Sequence, residues 1–356
     1  MSNFDKVEEI KKLDSNNMIG SLQALGDQLK AAWSESRLVQ IPPEYKDVQN
    51  IVVAGMGGSA LGAHFVRSVF DVSLPIQIVN DYQLPSFVDE KSLLIASSYS
   101  GATEETLSSL KDALVKKAKI VGIASGGELV DILEKESRPF YQFDPKYNPC
   151  GQPRMGVGYS IGGTLGLLVG LGFINFNDQQ MEKALVGLRE LQKSFDLPSR
   201  TQENRAKKAA QALSGKIPIV IASEFLSGNA HIFANQINES AKTFAIYLLL
   251  PEINHHLLEG IRLPENLGQR IRFFFLETGL YSEKIKARVR ITKEVLSKWG
   301  IESISYNIQS NGKFQAAFEA LVFSSWTSFY LAVANEIDPT PIPNVDFFKQ
   351  QLAKLA

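Results

Sequence analysis

The sequence predicts an α/β fold of two doubly wound domains, each a parallel sheet with helices on both faces. Short, unbroken apolar runs alternate with stretches of helical period, the pattern of strands buried on both faces. The same order of elements starts again past the middle of the chain, and 356 residues exceed what one ordinary core holds.

A polar, helical lead near residues 14–32 precedes "NIVVAGMGGSALGAHFVRSVF", read as a buried strand, a Gly-rich turn and a helix. "PIQIVND" and "KSLLIASSYS" follow as strands, then "TEETLSSLKDALVKKA" (amphipathic helix), "KIVGIAS" (strand), "GELVDILEKES" (helix) and "PFYQFD" (strand). These make a first domain over residues 1–152. A second, over 153–356, begins with the uncharged segment Gly156 to Phe173, where Gly158, Gly162, Gly166 and Gly170 recur every fourth position. Such a stripe serves membrane helices, but this run is short for a span and stands alone, so a buried helix in close backbone contact is expected. Two polar helices follow, near 178–194 and 200–213, and then the alternation restarts with "KIPIVIAS". The helix "SGNAHIFANQINESAKTFA", the strands "IYLLL", "QRIRFFFLE" and "SISYNIQ", the helix "SEKIKARVRITKEVLSKWG" and the apolar helix "KFQAAFEALVFSSWTSFYLAVANEI" complete the domain.

Apolar residues make up 44% and charged residues 21%, the balance of a globular protein, and the formal net charge is -1. No basic stripe invites nucleic acid and no polybasic patch a membrane, so a small molecule or a protein is the expected partner. The single Cys150 rules out an internal disulfide and points to a reducing compartment, hence the cytoplasm. The N-terminal stretch has no apolar run of export-signal length.

The motifs leave several chemistries open. "GMGGSALG" fits a dinucleotide fingerprint through Gly55, Gly57 and Ala60, with Asp81 after the next strand. It equally fits a tight structural turn or a sugar-phosphate turn. "SSYSGATEET" (Ser97 to Thr106) crowds hydroxyls where a buried strand ends and a helix begins, either as a helix cap or as an anion site. Glu239 falls in the middle of a largely apolar helix, in a seam with Asn235, Gln236, Lys242 and Thr243. His255 and His256 follow a strand beside Glu252 and Asn254; adjacent ligands converge poorly on a metal, and none is expected. A His with a distant carboxylate is also a minimal acid–base pair.

"GMGGSA" (Gly55 to Ala60), "SYSGATEET" (Ser98 to Thr106), "QPRMGVGYSIGG" (Gln152 to Gly163), "NESAK" (Asn238 to Lys242), "EINH" (Glu252 to His255) and "DPTP" (Asp338 to Pro341) stand in order along the chain. With them the chain resembles the bifunctional phosphoglucose/phosphomannose isomerases, which are built from two sugar-isomerase (SIS) domains and belong to the phosphoglucose isomerase superfamily. The resemblance implies that Gly58 and Ser59 contact the sugar and that Ser98, Ser100 and Thr103 hold its phosphate. It implies that Glu239 is the base, that His255 opens the ring, that Arg154 stabilises the enediolate, and that Lys349 approaches the ring oxygen. The implied activity interconverts glucose 6-phosphate, mannose 6-phosphate or both with fructose 6-phosphate, without metal or cofactor. It also implies a homodimer with shared sites, His255 coming from the neighbouring chain. The Gly-rich and last apolar helices suggest the same, as more buried surface than one subunit is expected to need.

The chain departs from the family's pattern at His256, where a second Asn is more usual, and at Leu257, where an acidic residue is common. It departs again at Met155 and Gly156 and in "SSWTS", which bears on substrate preference more than on reaction type. The alternatives are another SIS-domain isomerase or deaminase acting on sugar phosphates, and a sugar-phosphate sensor without catalysis.

Overall fold

The structure, a computed structural model, describes residues 4–354, so the outermost ends of the two expected domains, residues 1–3 and 355–356, lie outside the described residues. Its two sheets are wholly parallel. The first contains β1 (Asn50–Ala54), β2 (Ile76–Val79), β3 (Ser92–Ser98), β4 (Lys119–Ala124) and β5 (Phe140–Gln142), in the spatial order β2-β1-β3-β4-β5. The second contains β6 (Ile217–Ala222), β7 (Ile246–Leu249), β8 (Ile271–Thr278) and β9 (Ser303–Ile308), in the order β7-β6-β8-β9. Register runs Val53 to Ile95 across β1 and β3, and Val220 to Phe274 across β6 and β8.

Continuous apolar strands are what a sheet covered on both faces requires, and β1 shows how they are used. Ile51 and Val53 enter one hydrophobic cluster while Val52 and Ala54 enter another on the opposite face. The first of these clusters continues into the second sheet through Val220 and Phe274. Helices Gly58–Val69 and Ser227–Ala241 cross at the seam, so closely that a Cβ on Gly228 would lie 2.5 Å from the His64 carbonyl oxygen.

The glycine stripe is a packing face inside the chain. It lies on helix Val157–Gly170, against helix Leu25–Ser36: a Cβ on Gly158 would meet Gln28, one on Gly162 would meet Ala32, and one on Gly166 would meet Ser36. Although it follows residue 152, this helix covers elements of the first sheet. Among the described residues one helix, Lys313–Ala334, has the length and composition of a membrane span, and its apolar stretch is wholly buried inside the fold. The surplus buried surface inferred for these two helices is therefore already used within one subunit.

Two differences from the sequence expectation bear on the site. The helix expected to run through "SAKTFA" stops at Ala241, because Lys242 takes a left-handed conformation with φ 49° and turns the chain toward β7. A further helix, Pro343–Leu352, follows a proline start and carries Lys349.

Candidate active site

In an open sheet of this order, ligands bind where the connections from neighbouring strands leave in opposite directions, here between the carboxyl ends of β1 and β3. The loop after β1 is drawn tightly against "QPRMG". A Cβ on Gly58 would stand 2.7 Å from the Pro153 backbone, so only glycine lets the helix start there. Ser59 is the strut between the loops: its Oγ accepts from Tyr99 N at 2.8 Å, and its carbonyl accepts from Ser97 Oγ and Ser160 Oγ, each at 2.9 Å.

After β3 the chain turns through Gly101, whose φ of 70° and closeness to Gly126 (a Cβ would fall 1.7 Å from its carbonyl oxygen) exclude a side chain. The turn folds the hydroxyls toward one another. Ser98 Oγ and Thr103 Oγ1 are 2.9 Å apart, Ser98 Oγ accepts from Gly101 N at 3.1 Å, and Ser100 Oγ accepts from Ala102 N at 3.3 Å. Thr103 occupies the N-cap of helix Glu104–Val115, yet among the described residues its side chain makes no capping bond. Glu104 is bonded to the Tyr82 hydroxyl. The hydroxyls are thus gathered beside a helix N-terminus that they do not cap, an arrangement suited to an anion.

Arg154 and Glu239 form the charged part of the site. Arg154 is buried in the turn Pro153–Met155, with Nε donating to Ser240 Oγ at 3.0 Å, Nη1 to Gln152 Oε1 at 2.9 Å, and Nη2 to the carbonyls of Pro339 and Thr340, both at 2.8 Å. What remains of Nη1 faces Glu239 Oε2 at 3.5 Å. Glu239 sits in the last turn of its helix rather than mid-helix. Burial raises its carboxyl above the usual range, opposed first by Arg154 and then by Lys242 and Lys349. Gln236 and Ser240 are buried, Asn235 and Thr243 half-buried and Lys242 exposed, so the seam runs from the interior out to the surface beside Glu239.

Lys349 projects from helix Pro343–Leu352 near enough for its charge to favour the Glu239 carboxylate. His255 is not brought to this cluster within the chain. It ends the 3-10 turn Glu252–His255 after β7, is exposed, and its side chain makes no hydrogen bond or ion pair among the described residues. Its neighbour Asn254 is structural, donating to Thr292 Oγ1 at 2.8 Å and accepting from Arg288 at 3.1 Å. His256 stands 3.9 Å from Glu252, and no group of three His, Cys, Asp or Glu side chains among the described residues is placed to hold a metal ion. Asp81, the acidic residue of the dinucleotide fingerprint, is exposed and accepts from Tyr82 N at 2.6 Å.

Residue identity did not single out the bend at Pro339 and Thr340, which acts through carbonyl oxygens. Nor did it single out Lys242 beyond its place in the seam, although both lie in stretches, "NESAK" and "DPTP", quoted for the resemblance. Lys242 Nζ donates to Glu239 O at 2.9 Å, Ser240 O at 3.3 Å and Pro339 O at 2.8 Å.

The equivalent position in the second sheet, between β6 and β8, is spanned by the protein's own hydrogen bonds. Glu224 accepts hydrogen bonds from both the backbone and the hydroxyl of Ser282, at the start of helix Glu283–Lys298. The buried Tyr281 hydroxyl accepts from Ser223 N at 3.1 Å and donates to Leu276 O at 3.1 Å. Here a carboxylate is bonded to the residue that starts the helix, whereas at the first sheet Ser98 and Thr103 turn their hydroxyls toward one another.

Comparison with known proteins identifies the fold and the family. Residues 202–352 match the family model described as the bacterial phospho-glucose isomerase C-terminal SIS domain. Across the whole fold, a hypothetical protein from Thermus thermophilus superposes with a TM-score of 0.74 at 18% identity, over 98% of this chain and 93% of that one. The bifunctional phosphoglucose/phosphomannose isomerase of Aquifex aeolicus is 30% identical over 86% of this chain and 92% of its own. That of Caldicellulosiruptor bescii is 33% identical over 95% of this chain and 99% of its own. With identity of that level sustained along nearly the whole of both chains, this chain belongs to the bifunctional phosphoglucose/phosphomannose isomerase family.

Proposed function

We propose that the chain interconverts glucose 6-phosphate, mannose 6-phosphate or both with fructose 6-phosphate through a cis-enediol, without a metal. The carrying observation is Glu239, a partly exposed carboxylate 3.5 Å from a buried guanidinium whose other donors are already committed to the protein. Aldose–ketose isomerisation takes the proton from C2 and returns it to C1, so one carboxylate on one face of the substrate suffices. As Glu239 takes the proton, the C2–H electrons form the C1=C2 double bond and charge builds on the C1 oxygen. Arg154 is fixed before that charge appears, which is when a cation is worth most. Its field reaches the enediolate through Nη1, the edge already turned to Glu239. The raised carboxyl makes Glu239 a stronger base than an ordinary surface glutamate.

Binding the phosphate at Ser98, Ser100 and Thr103, away from the reacting carbons, orients C1 and C2 over the carboxylate. Gly58 and Ser59 border the sugar in this scheme. His255, with Lys349 approaching the ring oxygen, opens the closed sugar. Since His255 is exposed and apart from Glu239, the scheme takes it from a second copy of the chain in a homodimer. Helix Pro343–Leu352 supports that assembly: it buries no residue, and Phe347 and Phe348 are each 63% exposed. The division into domains at residue 152, with β1–β5 before it and β6–β9 after, and a cytoplasmic setting, consistent with the buried free thiol of Cys150, belong to the same proposal.

The test is turnover of each aldose 6-phosphate to fructose 6-phosphate, measured side by side in a coupled assay with wild type and Glu239→Gln. The substitution is expected to cost at least about 10²- to 10⁴-fold in kcat and to stop solvent-proton exchange at C2, while substrate still binds. Exchange continuing at the wild-type rate would remove Glu239 as the base. Wild-type kcat is expected to fall as pH drops through the Glu239 pKa, above the ordinary glutamate range, because only the ionised carboxylate accepts the proton.

A further inference from the structure

We propose that Lys242 is a positioning residue: it pins the Pro339–Thr340 bend to the end of the helix carrying Glu239, and through that bend fixes Lys349 relative to Glu239. The inference rests on the assignment of Glu239 as the base.

The three donors of the Lys242 ammonium match three backbone carbonyls. Two of them, Glu239 O and Ser240 O, belong to the last turn of helix Ser227–Ala241, where carbonyls lack partners within the helix. The third, Pro339 O, lies far along the sequence and also accepts from Arg154 Nη2. The bend is therefore gripped by two cations that both stand beside Glu239. Helix Pro343–Leu352 begins three residues after Thr340, so a shift of the bend displaces the helix and Lys349 with it.

The backbone argues that this side chain is kept for its reach. With φ 49° and ψ 32°, Lys242 stands in the left-handed position that ends many helices, where glycine fits without the steric cost a Cβ incurs. A lysine here carries that strain while its ammonium reaches back to three carbonyls. Burial draws its pKa down to about 8, with Arg154 acting in the same direction and Asp338 and Glu239 opposing. These three charged groups face it from the Pro153–Met155 turn, the C-terminal bend and its own helix. The simpler alternative is an ordinary C-terminal cap, in which a cation satisfies terminal carbonyls and adds stability only.

Lys242→Gly separates the two roles, because it suits the backbone while removing the pin. The full chain is compared as wild type, Lys242→Gly, Lys242→Met and Lys242→Arg, with inhibition by inorganic phosphate reporting the hydroxyl loop independently. Lys242→Gly is expected to unfold at or near the wild-type temperature and to bind phosphate unchanged. Its kcat should fall by about ten- to a hundredfold with little change in KM, the cost of misplacing a group beside the reacting atoms. The acid limb of kcat should move to higher pH, since the Lys242 charge no longer helps to hold Glu239 ionised. Lys242→Arg should recover most of the rate, and Lys242→Met should not.

A Lys242→Gly enzyme with kcat within about twofold of wild type would overturn the inference. So would losses of rate in the Gly and Met variants that follow only their losses of folded protein. Glu239→Gln run alongside keeps the two assignments apart. If it is inactive while Lys242→Gly is fully active, only the role of Lys242 falls; if it turns over normally, the base assignment falls and takes this inference with it.

Discussion

Thr103 stands at the N-cap of its helix and, among the described residues, does not cap it. That observation favours the anion site we propose for "SSYSGATEET" over a helix cap, because the Thr103 hydroxyl is turned toward Ser98 Oγ at 2.9 Å. Thr103→Val with Ser100→Ala should raise the inhibition constant of inorganic phosphate by about tenfold or more, as hydrogen bonds to a charged group are worth about 1.5–3 kcal/mol. The unfolding temperature should hardly move. A cap role predicts the reverse, a loss of about 1 kcal/mol of stability with phosphate inhibition unchanged. At this scale the sequence was most legible where chemistry resides in side chains. Ser98, Ser100 and Thr103 are gathered in one loop, and Glu239 and Arg154 meet from positions far apart in the chain. Pro339 and Thr340 were not legible in this way, since they serve the site through carbonyl oxygens, which every residue possesses.

The glycine stripe makes a test of the same kind at the level of the element. A Cβ on Gly162 would lie 2.7 Å from Ala32 Cβ and 2.9 Å from the Leu29 carbonyl oxygen, so helices Val157–Gly170 and Leu25–Ser36 would have to part. Gly162→Ala should destabilise by about 1–3 kcal/mol in thermal or denaturant unfolding, as overpacking does. Gly170→Ala, at a position with nothing within 4 Å, should be neutral or mildly stabilising. Equal effects at the two positions would show that helix propensity, not contact, governs the stripe. The spacing of four announced a packing face in the sequence but could not name its partner: a stripe facing another subunit has the same period as one facing Leu25–Ser36. The early end of the Glu239 helix was hidden for another reason. Lysine is a poor marker of a left-handed residue, so Lys242 gave no stop signal where a glycine would have given one.

Across the whole molecule, two sheets of like order have become unlike in use. The end of β6 and β8 is spanned by hydrogen bonds of Glu224 and Tyr281, whereas that of β1 and β3 keeps Ser98 and Thr103 together and receives Arg154 and Glu239 from either side of the seam. The site proposed there brings Glu239 and Arg154 together but not His255, which stands exposed after β7. A two-fold dimer would complete it twice, each site taking Glu239 from one subunit and His255 from the other. The exposed face of Pro343–Leu352 places apolar surface on the same helix as Lys349. Glu239→Gln and His255→Ala, each inactive alone, can be unfolded together and refolded as a mixture. Random pairing makes roughly half the dimers mixed, and each mixed dimer has one doubly altered site and one intact site, so about one quarter of wild-type activity should return. If both groups came from one chain, every site would carry a lesion and nothing would return. Mixed dimers confirmed by mass spectrometry but lacking recovered turnover would thus rule out the shared site and require His255 to reach Glu239 by a movement within its own chain.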